Sequence, residues 1–423
     1  MTNERSARRR GSRDAIMREL SRQGVDRREF LKKAGGTGLF LLGGPALLAA
    51  CGVDGSETTT TLAGGATGTT AASGPRKVVV ANWPFYIDPG GDDSYFETST
   101  LDDFTAATGI EVEYIEEVND NDGFFGKYQA PLNAGENIER DIAVLTDWMA
   151  ARFIRLGWTE EIDHANVPNI SNLVEALKSP GFDPDRKYTL PWQSGFTAIG
   201  YNPELTGRDL TSVNDIFDPA FAGSVSMLTE MRDTVGLVML GMGIDPATFS
   251  MDEAKQAMDK IQENVDNGQI RQFLGNDYGG ELAQGNLAAA FAWSGDVVQL
   301  QLDNPELRFL VPDEGLMLWS DNMLIPKGAT NKAEAEAFMN YFYDPVVAGK
   351  AESWINFISP VAGAQDALRQ LGEDMGDDEL AAIADDPLIF PDEATLAKTH
   401  IFRDLTEEEE TELNEMFTAV TGG

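Results

Sequence analysis

The sequence predicts an α/β protein built as two lobes. Short β-branched runs alternate with stretches of helical spacing along most of the chain, the pattern of an open sheet covered by helices. Of the 423 residues, 373 follow the first fifty, more than a single hydrophobic core usually holds, which points to two domains or lobes. Trp83 follows one predicted strand and Trp148 another, at the carboxyl ends where open α/β sheets bind ligands.

The chain opens on a segment outside this pattern. Residues 26–51, DRREFLKKAGGTGLFLLGGPALLAAC, set Arg27 and Arg28 before Phe30, Leu31 and Lys32. An apolar run of 18 residues from Ala34 to Cys51 follows, interrupted by five glycines and a proline, and so makes a poor permanent span. The order of basic region, apolar core, small residues and Cys resembles a twin-arginine export signal ending in a lipobox, with Cys51 as the lipidated residue. An ordinary transmembrane anchor is the alternative. Cys51 is the only cysteine, so no internal disulfide can form. Residues 1–50 hold 11 of the 32 Lys and Arg and 5 of the 70 Asp and Glu, which leaves 21 basic against 65 acidic residues, a net charge of −44. Such a charge repels nucleic acid and anionic membrane surfaces and draws in cations, although solubility or adaptation to salt gives the same composition. Residues 52–75 are mostly Gly, Ala, Thr and Ser, too poor in apolar bulk to fold, and read as a flexible linker spanning roughly 25–30 Å.

The folded part begins with a β-branched strand, Lys77 to Trp83. Leu101, Phe104 and Ala107 have helical spacing and Gly109 stops the helix. Ile110 to Ile115 alternates as a second strand, Phe124 to Leu132 is helical with an end near Pro131, Asp141 to Leu145 is a third strand, and Trp148 to Leu156 a helix. The pattern repeats with a strand at Thr197–Tyr201, a short helix at 213–217, a strand ending near Thr229, and helices from Arg232 to Leu240 and Met251 to Val265. Ala288 to Trp293 is a further strand, Val311 to Leu324 returns through Trp319-Ser320-Asp321, and helices follow at Ala333–Phe342 and after Asp344-Pro345. The acidic run Glu407–Glu410 reads as a solvated helix start, where acids favour the macrodipole.

Several stretches in order carry a family likeness: Asn82-Trp83 with Tyr86, Asp141-Ile142-Ala143-Val144 leading to Trp148, Tyr188-Thr189-Leu190-Pro191-Trp192 with Gly195 to Asn202, Ser224 to Asp233, Ala292-Trp293-Ser294-Gly295, Trp319-Ser320-Asp321 with Ile325-Pro326, and Phe357-Ile358-Ser359-Pro360. In this order and spacing the chain resembles the spermidine/putrescine-binding proteins, the periplasmic solute receptors of polyamine ABC importers, over nearly all of residues 76–423. The resemblance implies a periplasmic-binding-protein type II fold with a hinge and an interlobe ligand cleft. It divides the chain into lobe 1 at 76–195 plus 320–365 and lobe 2 at 196–319 plus 366–423.

A polyamine site needs carboxylates where the ammonium groups lie and aromatic faces over the alkyl spacer. The resemblance puts the carboxylates at Glu230, Asp233 and Asp321, the aromatic box at Trp83, Tyr86, Trp148, Trp293, Trp319 and Phe357, and a small hydroxyl at Thr146. Glu230 and Asp233 match the family's acidic pair in swapped order, and Trp148 and Phe357 stand for tyrosines. Phe85 stands where a glutamate touches an amine, and the region of Phe402 and Arg403 lacks the family's glutamine; the loss of a carboxylate favours a shorter diamine or another cation. Each residue also has a plainer reading. Trp83, Trp148 and Trp293 suit a core, Glu230 and Asp233 suit a helix start beside Arg232, and Asp321 suits a local ion pair. Trp192 and Trp354 read as packing or rim, and His164 and His400 stand too far apart in sequence to suggest a metal site.

An enzyme would need a nucleophile with a base, a tuned acid pair or a metal site. The exported chain has no thiol beyond Cys51, only two histidines and no Gly-rich phosphate loop, although Glu230 with Asp233 or Asp321 could imitate an acid/base pair. A receptor of the same fold for a metal complex or a phosphonate is the other rival, and an anion would call for Arg or Lys in the cleft, where Arg232 is the one basic neighbour. A structural or adhesive lipoprotein would have no need of these cleft residues. The expectation is an extracytoplasmic, monomeric, lipid-anchored receptor without cofactor or metal, which captures a polyamine or another cationic amine. By the resemblance, it hands the amine to ABC permease subunits driven by a cytoplasmic ATPase.

Overall fold

The computed structural model describes residues 76–91, 94–301 and 304–422. The expected signal, Cys51 and the 52–75 linker lie outside the described residues.

Strand β1 (Arg76–Asn82) enters the core as Val78, Val80 and Ala81, all inaccessible to solvent. Helix α1 (Thr100–Thr108) follows, its start fixed by a reciprocal capping box between Ser99 and Asp102 and its end by Gly109 in the left-handed region. Strand β2 (Ile110–Glu116) leads to α2 (Asn121–Asn133), and β3 (Ile142–Thr146) runs directly into α3 (Asp147–Leu156). α2 ends near Pro131, as expected: the proline sits inside the last turn and the helix closes two residues later.

Strand β4 (Thr189–Tyr201) is buried along its whole length and is longer than the 197–201 expected. Pro191 hid its first half, because a proline argues against a strand interior. The ladder accommodates it with a register shift between Pro191 and Gln193. Beyond it come β5 (Val225–Leu228), α4 (Met231–Gly241), α5 (Met251–Asp266), β6 (Ile270–Leu274), α6 (Tyr278–Ala283), β7 (Ala289–Trp293) and α7 (Ser294–Gln301). The chain returns as β8 (Arg308–Leu310) and β9 (Leu316–Leu324), followed by α8 (Lys332–Phe342), α9 (Pro345–Ile355), α10 (Ala364–Met375), the two-residue β10 (Thr399–His400) and α11 (Glu407–Thr421).

The strands are ordered β2-β1-β3-β9-β4-β7-β5-β6, with β8 on β4 and β10 on β9. The two ends of this order are parallel, β1 with β2 and β3, and β5 with β6 and β7. The middle is antiparallel: β9 pairs with β3 on one side and with β4 on the other, and β4 pairs onward with β7. Two α/β halves are thus joined through the long β4–β9 pair, the two-lobed type II arrangement expected. The carboxyl ends of β1, β3, β5 and β7 converge on the stretch of β9 that carries Trp319 and Asp321.

The acidic run starts α11 as expected, but only Glu407 to Glu409 are solvated. Thr406 and Glu409 form a capping box, but Glu410 is buried on the same helix face as Leu413 and Phe417 and meets two arginines. Among the described residues no helix is long and apolar enough to cross a membrane.

Candidate ligand-binding cleft

All ten residues expected at the site line one cleft of about 660 Å³. Trp83 and Tyr86 lie beyond β1, Thr146 and Trp148 at the end of β3, Glu230 and Asp233 at the start of α4, Trp293 at the end of β7, Trp319 and Asp321 on β9, and Phe357 just after α9.

Asp321 stands opposite Thr146 in the β3–β9 register. The Thr146 hydroxyl donates to its Oδ1 at 2.8 Å and the Tyr86 hydroxyl to its Oδ2 at 3.0 Å. Asn121 donates to Thr146 at 2.9 Å and to Glu230 Oε1 at 3.2 Å, and so ties α2 to the start of α4. On the other wall Asp233 accepts from Thr197 at 3.0 Å and from the Trp293 indole at 3.0 Å, while the Trp319 indole donates to Thr197 at 3.0 Å. Two of the aromatic rings are thereby fixed through their own N–H groups.

Two glycines make room for the rings. A Cβ on Gly195 would lie 2.4 Å from the Trp319 ring, and one on Gly295 would lie 2.5 Å from Phe357. Phe357 packs edge-on to Tyr86 with centroids 5.4 Å apart, and 5.5 Å from Trp319, so the three rings form one wall.

Three carboxylates in one confined space resist ionisation. Desolvation, then the neighbouring Asp233 and Asp122, push Glu230 up to about 8. Burial pushes Asp321 up to about 7 against the two hydroxyls that stabilise its charge, and burial pushes Asp233 up to about 6. Tyr86 is raised by burial and by Asp321, which keeps the phenol a donor. A cation with several N–H donors would relieve this cluster.

The residues set aside fall as follows. Phe85 is half exposed, has a left-handed backbone (φ 59°) and does not line the cleft. Trp192 is core, stacked near Phe338 and Phe342. His164 meets the Arg186 carbonyl at 2.7 Å and His400 meets Asp245 at 3.2 Å. Arg232 does line the cleft, and its guanidinium lies 3.9 Å from the Trp148 ring centroid, pairing with Glu410 at 2.8 Å. Sequence reasoning missed Asn121, Arg155 and Glu410. For Glu410 the signal was present, since it shares the i, i+3, i+7 spacing of Leu413 and Phe417.

An α/β protein whose strand ends close around an acid-and-aromatic cleft has the architecture of a small-solute receptor. A family model described as bacterial extracellular solute-binding protein matches residues 99–390, and the chain belongs to that family. It is 26% identical over 324 residues to a spermidine/putrescine-binding periplasmic protein of Haemophilus influenzae, covering 76% of this chain and 83% of that one. It is 27% identical over 385 residues to a putrescine-binding periplasmic protein of Pseudomonas aeruginosa, covering 86% and 96%. Its fold is similar to that of a spermidine/putrescine ABC transporter substrate-binding protein from Streptococcus pneumoniae, with a TM-score of 0.64, 24% identity, and coverage of 82% of this chain and 99% of that one.

Proposed function

We propose that this chain is the extracytoplasmic solute receptor of an ABC importer and that its cleft captures a polyamine of the putrescine/spermidine class. The observation that carries the reading is the convergence of Glu230, Asp233 and Asp321 inside a wall of Trp83, Tyr86, Trp293, Trp319 and Phe357. The carboxylates neutralise ammonium groups and the rings cover the methylenes between them. The names of the relatives support the same class of solute. Capture is the whole activity: the amine bridges the lobe of residues 76–195 plus 320–365 and the lobe of residues 196–319 plus 366–423, and so favours the closed form. The closed receptor then docks on membrane permease subunits driven by a cytoplasmic ATPase. The sequence of residues 26–51 supports twin-arginine export and lipidation at Cys51, with 52–75 as the tether of a monomeric receptor.

A phosphonate or other anion fits the cleft less well, because each arginine lining it already has a carboxylate. Arg155 pairs with Glu407 and Glu410, Arg232 with Glu410, and Arg403 with Glu409. Calorimetric titration with putrescine, cadaverine, spermidine and spermine, with arginine and a phosphonate as controls, tests the proposal. Saturable one-to-one binding of a polyamine is expected. A folded protein that binds none of the four sinks the choice of solute.

A further inference from the structure

A short diamine leaves most of this cleft empty. A four-carbon diamine has as many heavy atoms as benzene, which fills a cavity of about 150 Å³. The half-open cleft has a volume of about 660 Å³, within the range of drug-sized ligand sites. Its walls are nevertheless bridged at three points. Asn121 bonds Glu230 across the cleft, Asn276 donates to the Asn119 carbonyl at 3.3 Å, and Arg155 of α3 pairs with Glu410 of α11.

The surplus space runs along α3. Trp148, Ala151, Ile154 and Arg155 all line it, and at 1.5 Å per residue they carry it about 10 Å along the helix from Trp148. Opposite walls come from Leu177, Pro180 and Phe182 on one loop and from Phe402 and Leu405 on another, with Ile401 58% exposed at the opening. The charges lining this annex are the guanidiniums of Arg155, Arg232 and Arg403 and the carboxylate of Glu410, joined in ion pairs with each other and with Glu407 and Glu409, with Asp404 exposed on the rim. A further ammonium or an anion placed here would find these charges already paired. An apolar group needs no unpaired charge and would remove the annex walls from water.

We infer that the cleft accommodates an amine with a bulky apolar substituent, an N-aralkyl diamine, whose ammonium groups sit among Glu230, Asp233 and Asp321 and whose apolar body fills the annex along α3. The inference rests on the amine reading of the acidic cage and extends it to the substituent.

The test is calorimetry on the full chain with putrescine, spermidine and N-benzylputrescine as probes. N-benzylputrescine is expected to bind at least about tenfold more tightly than putrescine, the gain that burial of a few apolar carbons provides. In Ile154→Ser and Leu177→Ser the ratio of those two affinities is expected to fall towards one, and in Asp321→Asn both probes weaken together. Putrescine binding as tightly as N-benzylputrescine, or spermidine more tightly, overturns the apolar annex and leaves the polyamine receptor standing. Binding of none of the three probes overturns the amine reading and the annex with it.

Discussion

Amine affinity should rise steeply with pH between 6 and 8, and protons should leave the protein as the amine binds. The ligand amines remain charged throughout this interval, since a primary alkylamine titrates near the lysine value of about 10. The carboxylates do change. With Asp321 near 7, about a tenth of it is ionised at pH 6 and about nine-tenths at pH 8, worth about tenfold in affinity if only the ionised form binds. Glu230, near 8, passes from about 1% to about half ionised, a further fifty-fold at most, and Asp233, near 6, adds about a factor of two. The sign follows from linkage. The empty site holds protons that the occupied site gives up, so raising the pH favours the complex until the empty-site values are passed. Titration at pH 6.5 in phosphate and in Bis-Tris, whose ionisation heats differ, should show release of about two protons per amine bound. Binding that is independent of pH from 6 to 8, with no difference between the buffers, would refute the claim that desolvation holds these acids protonated in the empty cleft.

Three further outcomes can be checked on single variants. Asp321→Asn removes the charge that Thr146 and Tyr86 orient and should weaken diamine binding by about 30- to 150-fold, the cost of about 2–3 kcal/mol for losing a buried charge pair, with circular dichroism unchanged. Gly295→Ala should displace the Phe357 ring, lowering amine affinity and costing about 1–3 kcal/mol in denaturant unfolding; an unaltered affinity would remove Phe357 from the site. Glu352 is fully buried on α9 and is pushed up to about 8 by desolvation; Gln193 and Ser359 lie near it, yet neither of its oxygens makes a well-formed hydrogen bond. Its folded value lies above its unfolded one, so its contribution to stability is present below the unfolded value and declines as pH rises towards 8. Glu352→Gln should therefore flatten the fall in melting temperature between pH 6 and 9 and be the more stable protein at pH 9.

How far the site could be read from the sequence depended on where each residue's signal lies. Trp83 and Trp148 follow directly from strands whose β-branched or apolar runs are written locally, so the rule of ligands at strand carboxyl ends reaches them, whereas Thr146 and Trp293 are placed only by the family likeness. The acids needed more, because Glu230 and Asp233 beside Arg232 look like any helix start, and only the family likeness separated them from that. Asn121 and Arg155 carry no such local mark, and the spacing of Glu410 with Leu413 and Phe417 marks its burial but not its partners. They meet because the sheet order brings α2, α3, α4 and α11 around the same cleft, information that lies in the long-range pairing of β4 with β9. A local turn sets the position where the family's carboxylate is missing. Phe85 matches a ligand-contacting position by alignment, but the left-handed turn after Pro84 leaves it half exposed while Tyr86 points into the cleft and binds Asp321. With no carboxylate at position 85, the acids of the cage are those on β9 and α4, and under the proposed function they alone would carry the charge of the amine.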